Sequence, residues 1–221
     1  MTLFEFISQY WSSLLSGTAT TIAQFFFAAI LGVVISLIMG LLKLSQNKSM
    51  RWLAIIYIEI FRGTSLLVQL YWIFFVLPLF GLTIDKFTAG YLAVGMNIGA
   101  YGAELVRGGI LSVPKGQWEA ALAINMSPAK RMWRIILPQA LVNMLPPWGN
   151  LMIELLKGTA LVSLIAVTDL MFEAKQINGF TFLSAEVFGV ALVIYYILSR
   201  FAITPFMRWL ERFMARKMGR V

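Results

Sequence analysis

The chain has 221 residues, of which 60% are hydrophobic and 13% charged, and this charged fraction is about half that of an average soluble domain. The composition excludes a soluble globular protein and predicts an all-α integral membrane protein with room for about five or six spans. Cysteine and histidine are absent, which excludes disulfides, thiolate chemistry and the usual zinc ligands.

Basic residues give the chain a net charge of +8, and they cluster just beyond the hydrophobic segments. This distribution is typical of the positive-inside pattern of membrane proteins and argues against a nucleic-acid partner. The first residues, MTLFEFISQYWSS, lack a basic region and a small-residue cleavage site. We therefore do not expect a removable signal peptide at this end.

Long stretches with few charges predict three spans in the first half of the chain, over residues 18–42, 52–80 and 88–111. The loop after the first span, KLSQNKSMR, holds three basic residues and no acid, which predicts a cytoplasmic loop and an N-terminus outside.

Four charged residues lie toward the cytoplasmic ends of the second and third spans: Glu59, Arg62, Glu104 and Arg107. We expect them to snorkel or to form structural ion pairs, since Glu104 and Arg107 have a favourable helical spacing of three.

Residues 140–168 predict a fourth span that is a broken helix, because MLPPWGN places two prolines near its start and ELLKGTALVSLI interrupts it with charge, glycine and threonine. Asp169, Glu173 and Lys175 then mark an extracellular loop before a fifth span over residues 185–206. The tail, RWLERFMARKMGRV, has five basic residues and one acid, which predicts a cytoplasmic C-terminus. Six spans would require a split fourth span and would place this basic tail outside.

Residues 114–138 predict a cytoplasmic hairpin of two short amphipathic helices. Trp118, Leu122 and Met126 form an apolar stripe on the first helix, with one residue every four positions. Asn125 stands where that helix should stop, since asparagine tolerates the left-handed conformation that closes helices.

Ser127 and Pro128 predict the cap and the first residue of the second hairpin helix, which should run to about Leu137. An amphipathic loop of this kind can rest on anionic lipid, or it can dock a cytoplasmic partner. Two capped turns at a defined angle favour docking. The second helix is expected to have an apolar face and an opposite basic face, formed by Met132, Ile135 and Ile136 and by Lys130, Arg131 and Arg134.

The hairpin resembles the EAA loop of ABC importer permeases, whose short helices fit into a groove of the ATPase subunit. Both residue types and spacings agree over about twenty positions, and the one departure is an asparagine where that family usually has glycine. The resemblance implies that ATPase coupling rests on Glu119, Ala120, Ala121, Asn125, Ile135, Leu137 and Pro138.

Three further segments resemble the polar amino acid uptake permeases, the group of histidine, glutamine and arginine importers: YIEIFRGTSLLVQLYWIFFVLP, NIGAYGAELVRGGILSVPKGQWEAA and LLKGTALVSLIAVTDL. The resemblance implies the five-span, MetI-like core of type I importers in a bacterial cytoplasmic (inner) membrane. It also implies a pair of permeases, identical or homologous, with two ATPase subunits and an external solute-binding protein.

ATP binding is not expected on this chain, because it has no Gly-x-x-x-x-Gly-Lys-Ser/Thr stretch. We therefore predict a transporter subunit that is not itself an enzyme and that holds no cofactor or metal, with ATP and magnesium on the partner ATPase.

Polar residues near the middle of the spans predict a solute path, because such residues are costly in a membrane. Hydrogen bonding between helices is the alternative for any single one of them. The predicted path residues are Thr64, Ser65, Gln69, Asn97, Tyr101, Lys157, Gly158, Thr159 and Ser163.

Gly158 departs from these importers, which commonly have Lys-Asp-Thr-Ser-Leu or Lys-Ser-Thr-Ser-Leu here. An aspartate could bind the ammonium group of a solute and glycine cannot, which favours neutral amino acids, opines or zwitterions such as ectoine over lysine or arginine. Lys157 can face a solute carboxylate, or it can pair with Glu154 three residues earlier.

Two other classes of function are possible for a chain of this composition. A stand-alone ion-coupled carrier or channel would need acids at the middle of the membrane, and none is clearly placed there. A membrane enzyme would need clustered catalytic groups, which the sequence lacks.

Overall fold

Within residues 3–217, which the computed structural model describes, the chain folds into eight helices with no strand, as predicted. The last residues of the basic tail, including Arg220, lie outside the described residues. The helices are α1 (Leu3–Lys43), α2 (Lys48–Gly63), α3 (Leu66–Phe80), α4 (Lys86–Leu111), α5 (Lys115–Ala123), α6 (Pro128–Ile165), α7 (Leu170–Thr181) and α8 (Ser184–Lys217).

Three of the described helices, α1, α6 and α8, are long and apolar enough to cross a membrane, and the bent pair α2–α3 is a fourth if it counts as one span. Helix α4 is not among them, although it matches the predicted third span. Its buried positions are mostly glycine, alanine and valine. A helix surrounded by other helices needs small residues there. The number of five spans stays a prediction.

The predicted second span, residues 52–80, is two helices bent by 106°. The backbone is extended at Thr64 and Ser65, which separate α2 from α3. The Gln69 side chain compensates for the lost helical hydrogen bonds, since its Nε2 donates to the Phe61 carbonyl at 2.9 Å and to Thr64 Oγ1 at 2.8 Å. The bend therefore lies at two polar residues, Thr64 and Ser65, within the predicted second span.

Each of the three π-helical segments in the described residues ends two residues before a proline: Trp72–Val76 before Pro78, Met132–Ile136 before Pro138, and Leu198–Ile203 before Pro205. A proline ring clashes with the carbonyl four residues earlier, and in all three cases that carbonyl lies inside the wider π turn. The helix thus passes through the proline instead of ending there.

The prediction that the second hairpin helix ends near Leu137 is therefore wrong. The helix that starts at Pro128 continues through Pro138 and forms one helix with the predicted fourth span. That span is not broken at Pro146 and Pro147 either. It stays α-helical to Thr159 and then tightens into a 3₁₀ helix to Ile165, where Ala166 with φ 59° reverses the chain.

Helix α4 lies at the centre of the fold and packs against α1 and α6. Small residues let the backbones approach closely: a β-carbon on Gly40 of α1 would lie 2.8 Å from Val106 Cβ and 2.9 Å from the Ala103 carbonyl oxygen. The Ser36 hydroxyl of α1 is shared between the Gly32 carbonyl of its own helix at 2.6 Å and the Gly99 carbonyl of α4 at 3.0 Å. The two helices are therefore fixed in register by close packing and by a buried hydrogen bond.

Glu104 of α4 pairs with Lys43 of α1 and with Arg107, whose Nη2 lies 3.0 Å from Glu104 Oε2. The expected structural ion pair is confirmed. Arg62 instead stacks on Tyr101, with its guanidinium carbon 5.4 Å from the ring centre, and Glu59 is exposed.

The segment with Asp169, Glu173 and Lys175 is not a loop as predicted, because Asp169 caps helix α7 and the other two residues lie within it. Its extracellular location stays a prediction. Asp169 is fully buried; its Oδ1 accepts from the Phe172 amide at 2.9 Å, and its Oδ2 lies 3.4 Å from the Tyr195 hydroxyl. Burial raises the pKa of the Asp169 carboxyl from 3.8 to about 6, against these hydrogen bonds and the nearby Lys175, which lower it.

Substitution of Gly40 by alanine tests the packing of α1 on α4. The new methyl group meets a rigid Cβ and a backbone oxygen, so we expect Gly40→Ala to lower the free energy of unfolding by about 1–3 kcal/mol. Gly108→Ala is the matched control, because Gly108 is exposed on α4 and its β-carbon would meet nothing within 4 Å. Thermal unfolding in detergent measures both, and equal stability of the two variants would contradict the packing described.

Substitution of Asp169 by asparagine tests the buried carboxyl. Because the pKa of Asp169 is raised in the folded state, binding of its proton stabilises the fold. This stabilisation is fully present below about pH 4, near the pKa of the unfolded chain, and is lost as the pH rises through about 6. The asparagine side chain would still cap α7 but would not titrate. We expect the stability of the wild type relative to Asp169→Asn to fall by an amount on the order of 2 kcal/mol between pH 4 and pH 7. Parallel stability curves for the two proteins would contradict this.

Candidate functional site

A cavity of about 460 Å³ lies between the α2–α3 bend, α4 and α6. Six of the nine predicted path residues line it, together with one acid and five apolar side chains. The predicted residues are Thr64, Ser65, Asn97, Tyr101, Lys157 and Gly158, the acid is Glu154, and the apolar residues are Leu66, Val94, Ile98, Leu155 and Leu161.

The polar wall of this cavity is held by buried amide groups. Asn97 Nδ2 donates to Gln69 Oε1 at 3.0 Å and to the Phe61 carbonyl at 3.1 Å. Gln69 is buried behind the lining and holds Thr64 in place, as described above. The hydrogen-bond alternative thus applies to Gln69 and Asn97, whereas Thr64 and Ser65 remain exposed.

Two predicted path residues lie elsewhere. Thr159 is fully buried and its hydroxyl donates to the Leu156 carbonyl at 2.7 Å. Ser163 donates to the Ala160 carbonyl and accepts from Lys175 Nζ at 3.1 Å. Neither lines the cavity, because the helix is continuous at Lys157 and turns these residues toward the packed side.

Glu154 is a cavity residue that the sequence indicates only as a partner for Lys157. Both side chains also border a second cavity, of about 620 Å³, with Asn150 and Ile153. Spacings of four and three residues place Asn150, Glu154 and Lys157 on one face of the helix. This polar stripe on an otherwise apolar helix could have identified Glu154 from the sequence. The described residues contain no ion pair within 4 Å between Glu154 and Lys157.

The carboxylate of Glu154 and the ammonium of Lys157 are therefore both open to the cavity. Gly158 adds no side chain beside them, and a β-carbon there would lie 3.3 Å from Leu66 Cδ2. The arrangement offers one negative charge, one positive charge and several hydroxyl and amide groups to a small solute. No cluster of three or more histidine, cysteine, aspartate or glutamate residues suited to a metal occurs in the described part of the chain.

The hairpin turns as the sequence predicts at its tip. Asn125 has φ 56°, and the amides of Asn125 and Met126 donate to the carbonyls of Leu122 and Ala121 at 2.8 and 3.0 Å. This pair of bonds is the Schellman motif that closes helix α5. Ser127 then caps α6, since its side chain accepts from the Lys130 amide.

Contacts between the two arms fix the hairpin. The Arg131 guanidinium lies over the Trp118 ring at 5.5 Å, and Gln139 Nε2 donates to Gln117 Oε1 at 3.2 Å. Of the predicted coupling residues, Ala121 is buried and Ile135, Leu137 and Pro138 are half-buried, whereas Glu119, Ala120 and Asn125 are exposed.

An apolar patch, Leu122, Ile124 and Trp133, is exposed beside these coupling residues, with Ile124 71% exposed and Trp133 66% exposed. Leu122 thus faces outward, although its spacing placed it on the apolar stripe.

Comparison with known proteins identifies the family. The sequence profile of the binding-protein-dependent transport system inner membrane component matches residues 32–216. The probable amino-acid ABC transporter permease protein y4tF of Sinorhizobium fredii is 44% identical over 92% of this chain and 87% of its own length. The L-cystine transport system permease protein TcyB of Bacillus subtilis is 41% identical over 77% of this chain and 73% of its own length.

Solved structures agree with these relatives. A crystal structure of an amino acid ABC transporter with histidines superposes with a TM-score of 0.88 at 37% identity, covering 96% of this chain and 98% of the other. An inward-facing structure of the MetNI methionine ABC transporter, 23% identical, has the same fold with a TM-score of 0.80 over 93% of this chain and 98% of the other. The predicted resemblance to ABC importer permeases is confirmed, and nothing among these relatives favours a stand-alone carrier or channel. The chain belongs to the family of binding-protein-dependent transport system inner membrane components.

Proposed function

We propose that the chain is the permease subunit of an ATP-driven importer of polar amino acids or related zwitterions. The observation that carries this proposal is the placement of Glu154 and Lys157 on one cavity wall without an ion pair between them. A carboxylate can bind a solute ammonium group, and an ammonium can bind a solute carboxylate. Relatives named as amino-acid, cystine, arginine and glutamine permeases support the same solute class.

A neutral zwitterion suits this cavity best. Glu154 and Lys157 match the two charges of such a solute, and Gly158 leaves no additional acid there for a cationic side chain. A volume of about 460 Å³ lies in the range of small-molecule sites. Neutral amino acids, opines and ectoine-like solutes fit this description.

We infer that the permease has five spans, with the N-terminus outside and the C-terminus inside. It works with a second permease subunit, an ABC ATPase dimer that binds ATP and magnesium, and an external solute-binding protein. The fold shared with ABC transporters of known structure supports these partners.

Coupling to the ATPase is proposed to pass through α6. This single helix begins at the hairpin with Pro128 and reaches the cavity at Glu154 and Lys157. With a rise of about 1.5 Å per residue, the hairpin and the cavity wall are some 40 Å apart on one rigid element. A displacement of the hairpin by the ATPase therefore moves the cavity wall and opens it alternately to each side of the membrane.

The exposed apolar patch of Leu122, Ile124 and Trp133 is available to a docking partner, and the fixed geometry of the hairpin favours the ATPase over lipid. Glu119 lies exposed on the same arm. The Schellman turn at Asn125 and the Arg131–Trp118 contact hold the two arms at a fixed angle. Docking in a groove of a partner protein requires a fixed angle between the two arms, whereas adsorption to a fluid lipid surface does not.

Lys157→Gln tests the solute site. We expect transport of a neutral amino acid to weaken about tenfold or more, because a charged hydrogen bond contributes about 1.5–3 kcal/mol. Uptake of the amino-acid amide, which lacks the carboxylate, should change much less. The measurement is the ratio of the two uptake rates in proteoliposomes that contain the permease, its ATPase and its binding protein.

The binding protein contributes the same preference to wild type and variant, so a change in this ratio belongs to the permease. Lys48→Gln is the matched control, because Lys48 is exposed at the start of α2 and does not line either cavity described. An unchanged ratio in Lys157→Gln would contradict a role for Lys157 in binding the solute.

Glu119→Lys tests the coupling hairpin. The variant reverses a charge on an exposed surface, so we expect a folded protein in the membrane that no longer transports and no longer retains the ATPase during purification. Glu186→Lys, the same reversal in the first turn of α8, is expected to keep both properties. Normal uptake together with normal ATPase retention in Glu119→Lys would refute the coupling role.

A further inference from the structure

The last segment of α8, Thr204–Lys217, continues directly from an apolar helix that can cross a membrane. One face of this segment packs on α6 through Met207, Leu210 and Met214, and Met207 lies beside Gly149. The other faces have no covering in the described part of the chain. They carry two rows of side chains of different chemistry.

An aromatic row runs along one uncovered face. Phe206, Trp209 and Phe213 are all exposed, with Trp209 54% exposed. Their rings stack in sequence, with centroids 6.1 and 5.6 Å apart and planes inclined by 28° and 16°. Because these rings stack along the helix, they form one continuous aromatic surface.

A basic row lies next to the aromatic row. Arg208, Arg212 and Arg216 are four residues apart and exposed, and the described residues provide no ion pair within 4 Å for any of them. Lys217 Nζ lies 4.9 Å above the Phe213 ring. Glu211, the one acid of this segment, is half-buried on the side toward Gly149.

We propose that Thr204–Lys217 is a binding surface for anionic phospholipid headgroups at the membrane surface where α8 emerges. The guanidinium groups bind lipid phosphates, and the aromatic row lies at the level of the headgroups, where such rings are stable. A helix with aromatic and basic rows side by side and low net hydrophobicity matches this boundary.

The face that carries the aromatic row favours lipid over a soluble protein as the occupant. Exposed apolar side chains recur along α8 at Leu192, Tyr196, Phe201 and Phe206, and Arg200 is an exposed charge among them. The first part of this surface belongs to a helix that is long and apolar enough to cross a membrane, so lipid is the expected medium around it. The same medium therefore covers its continuation, and the unpaired arginines beside it face the charged boundary of that medium.

The test is the preference of the full-length protein, reconstituted in vesicles, for spin-labelled phosphatidylglycerol over spin-labelled phosphatidylcholine, measured by electron paramagnetic resonance. Replacement of Arg208, Arg212 and Arg216 by glutamine is expected to lower this preference at least about fivefold, the effect of one basic group near an anionic surface. Replacement of all three by lysine should preserve most of it.

Lys48→Gln, Arg51→Gln and Lys115→Gln together form the matched control, because they remove the same charge from exposed positions outside this segment. An unchanged lipid preference in the arginine variant, or an equal loss in the control, would overturn the proposal. An unchanged preference with loss of the co-purified ATPase would overturn it in favour of a protein partner. Equal thermal unfolding of the variants and the wild type confirms that the helix stays in place.

Discussion

The close approach of α1 and α4 is the contact on which the rest of the structure depends. Glycine on one helix meets backbone and rigid side chains of the other at Gly40, and the Ser36 hydroxyl joins the two at Gly99. Membrane helices gain little from apolar burial against each other, so close packing and buried hydrogen bonds must hold them. With α4 fixed in this way, Asn97 and Tyr101 stand at the cavity, and the Lys43–Glu104 ion pair ties the C-terminal half of α4 to α1.

Prolines shape the helices in a second, less expected way. A π-helical segment precedes Pro78, Pro138 and Pro205, and in each case the helix continues. The backbone amide and the hydroxyl of Thr204 both donate to the Ser199 carbonyl, the hydroxyl at 2.8 Å, which reinforces the last bond of this π turn. As a result, α6 and α8 are long continuous helices that extend beyond their apolar stretches. The N-terminal end of α6 forms part of the hairpin, and the C-terminal end of α8 carries the basic tail.

Local chemistry made some of these features predictable. The Asn125 turn and the Ser127 cap depend on neighbouring residues alone, and both form as expected. Six of the twelve residues that line the cavity were predicted, because polar groups are costly in a membrane. The continuity of α6 through Pro138 was not predictable from the sequence. A proline either ends a helix or is accommodated by a π turn, and the packing around it decides which of the two occurs. The burial of Asp169 likewise depends on Tyr195 and α1, which are distant in sequence.

Gly158 has a steric role as well as an electrostatic one. A β-carbon at position 158 would lie 3.3 Å from Cδ2 of Leu66, the first residue of α3. An aspartate introduced there would add a charge to the cavity and would also displace the Leu66 side chain by a few tenths of an ångström, next to the Thr64–Ser65 bend. A substitution at position 158 on α6 therefore reaches the start of α3 through Leu66.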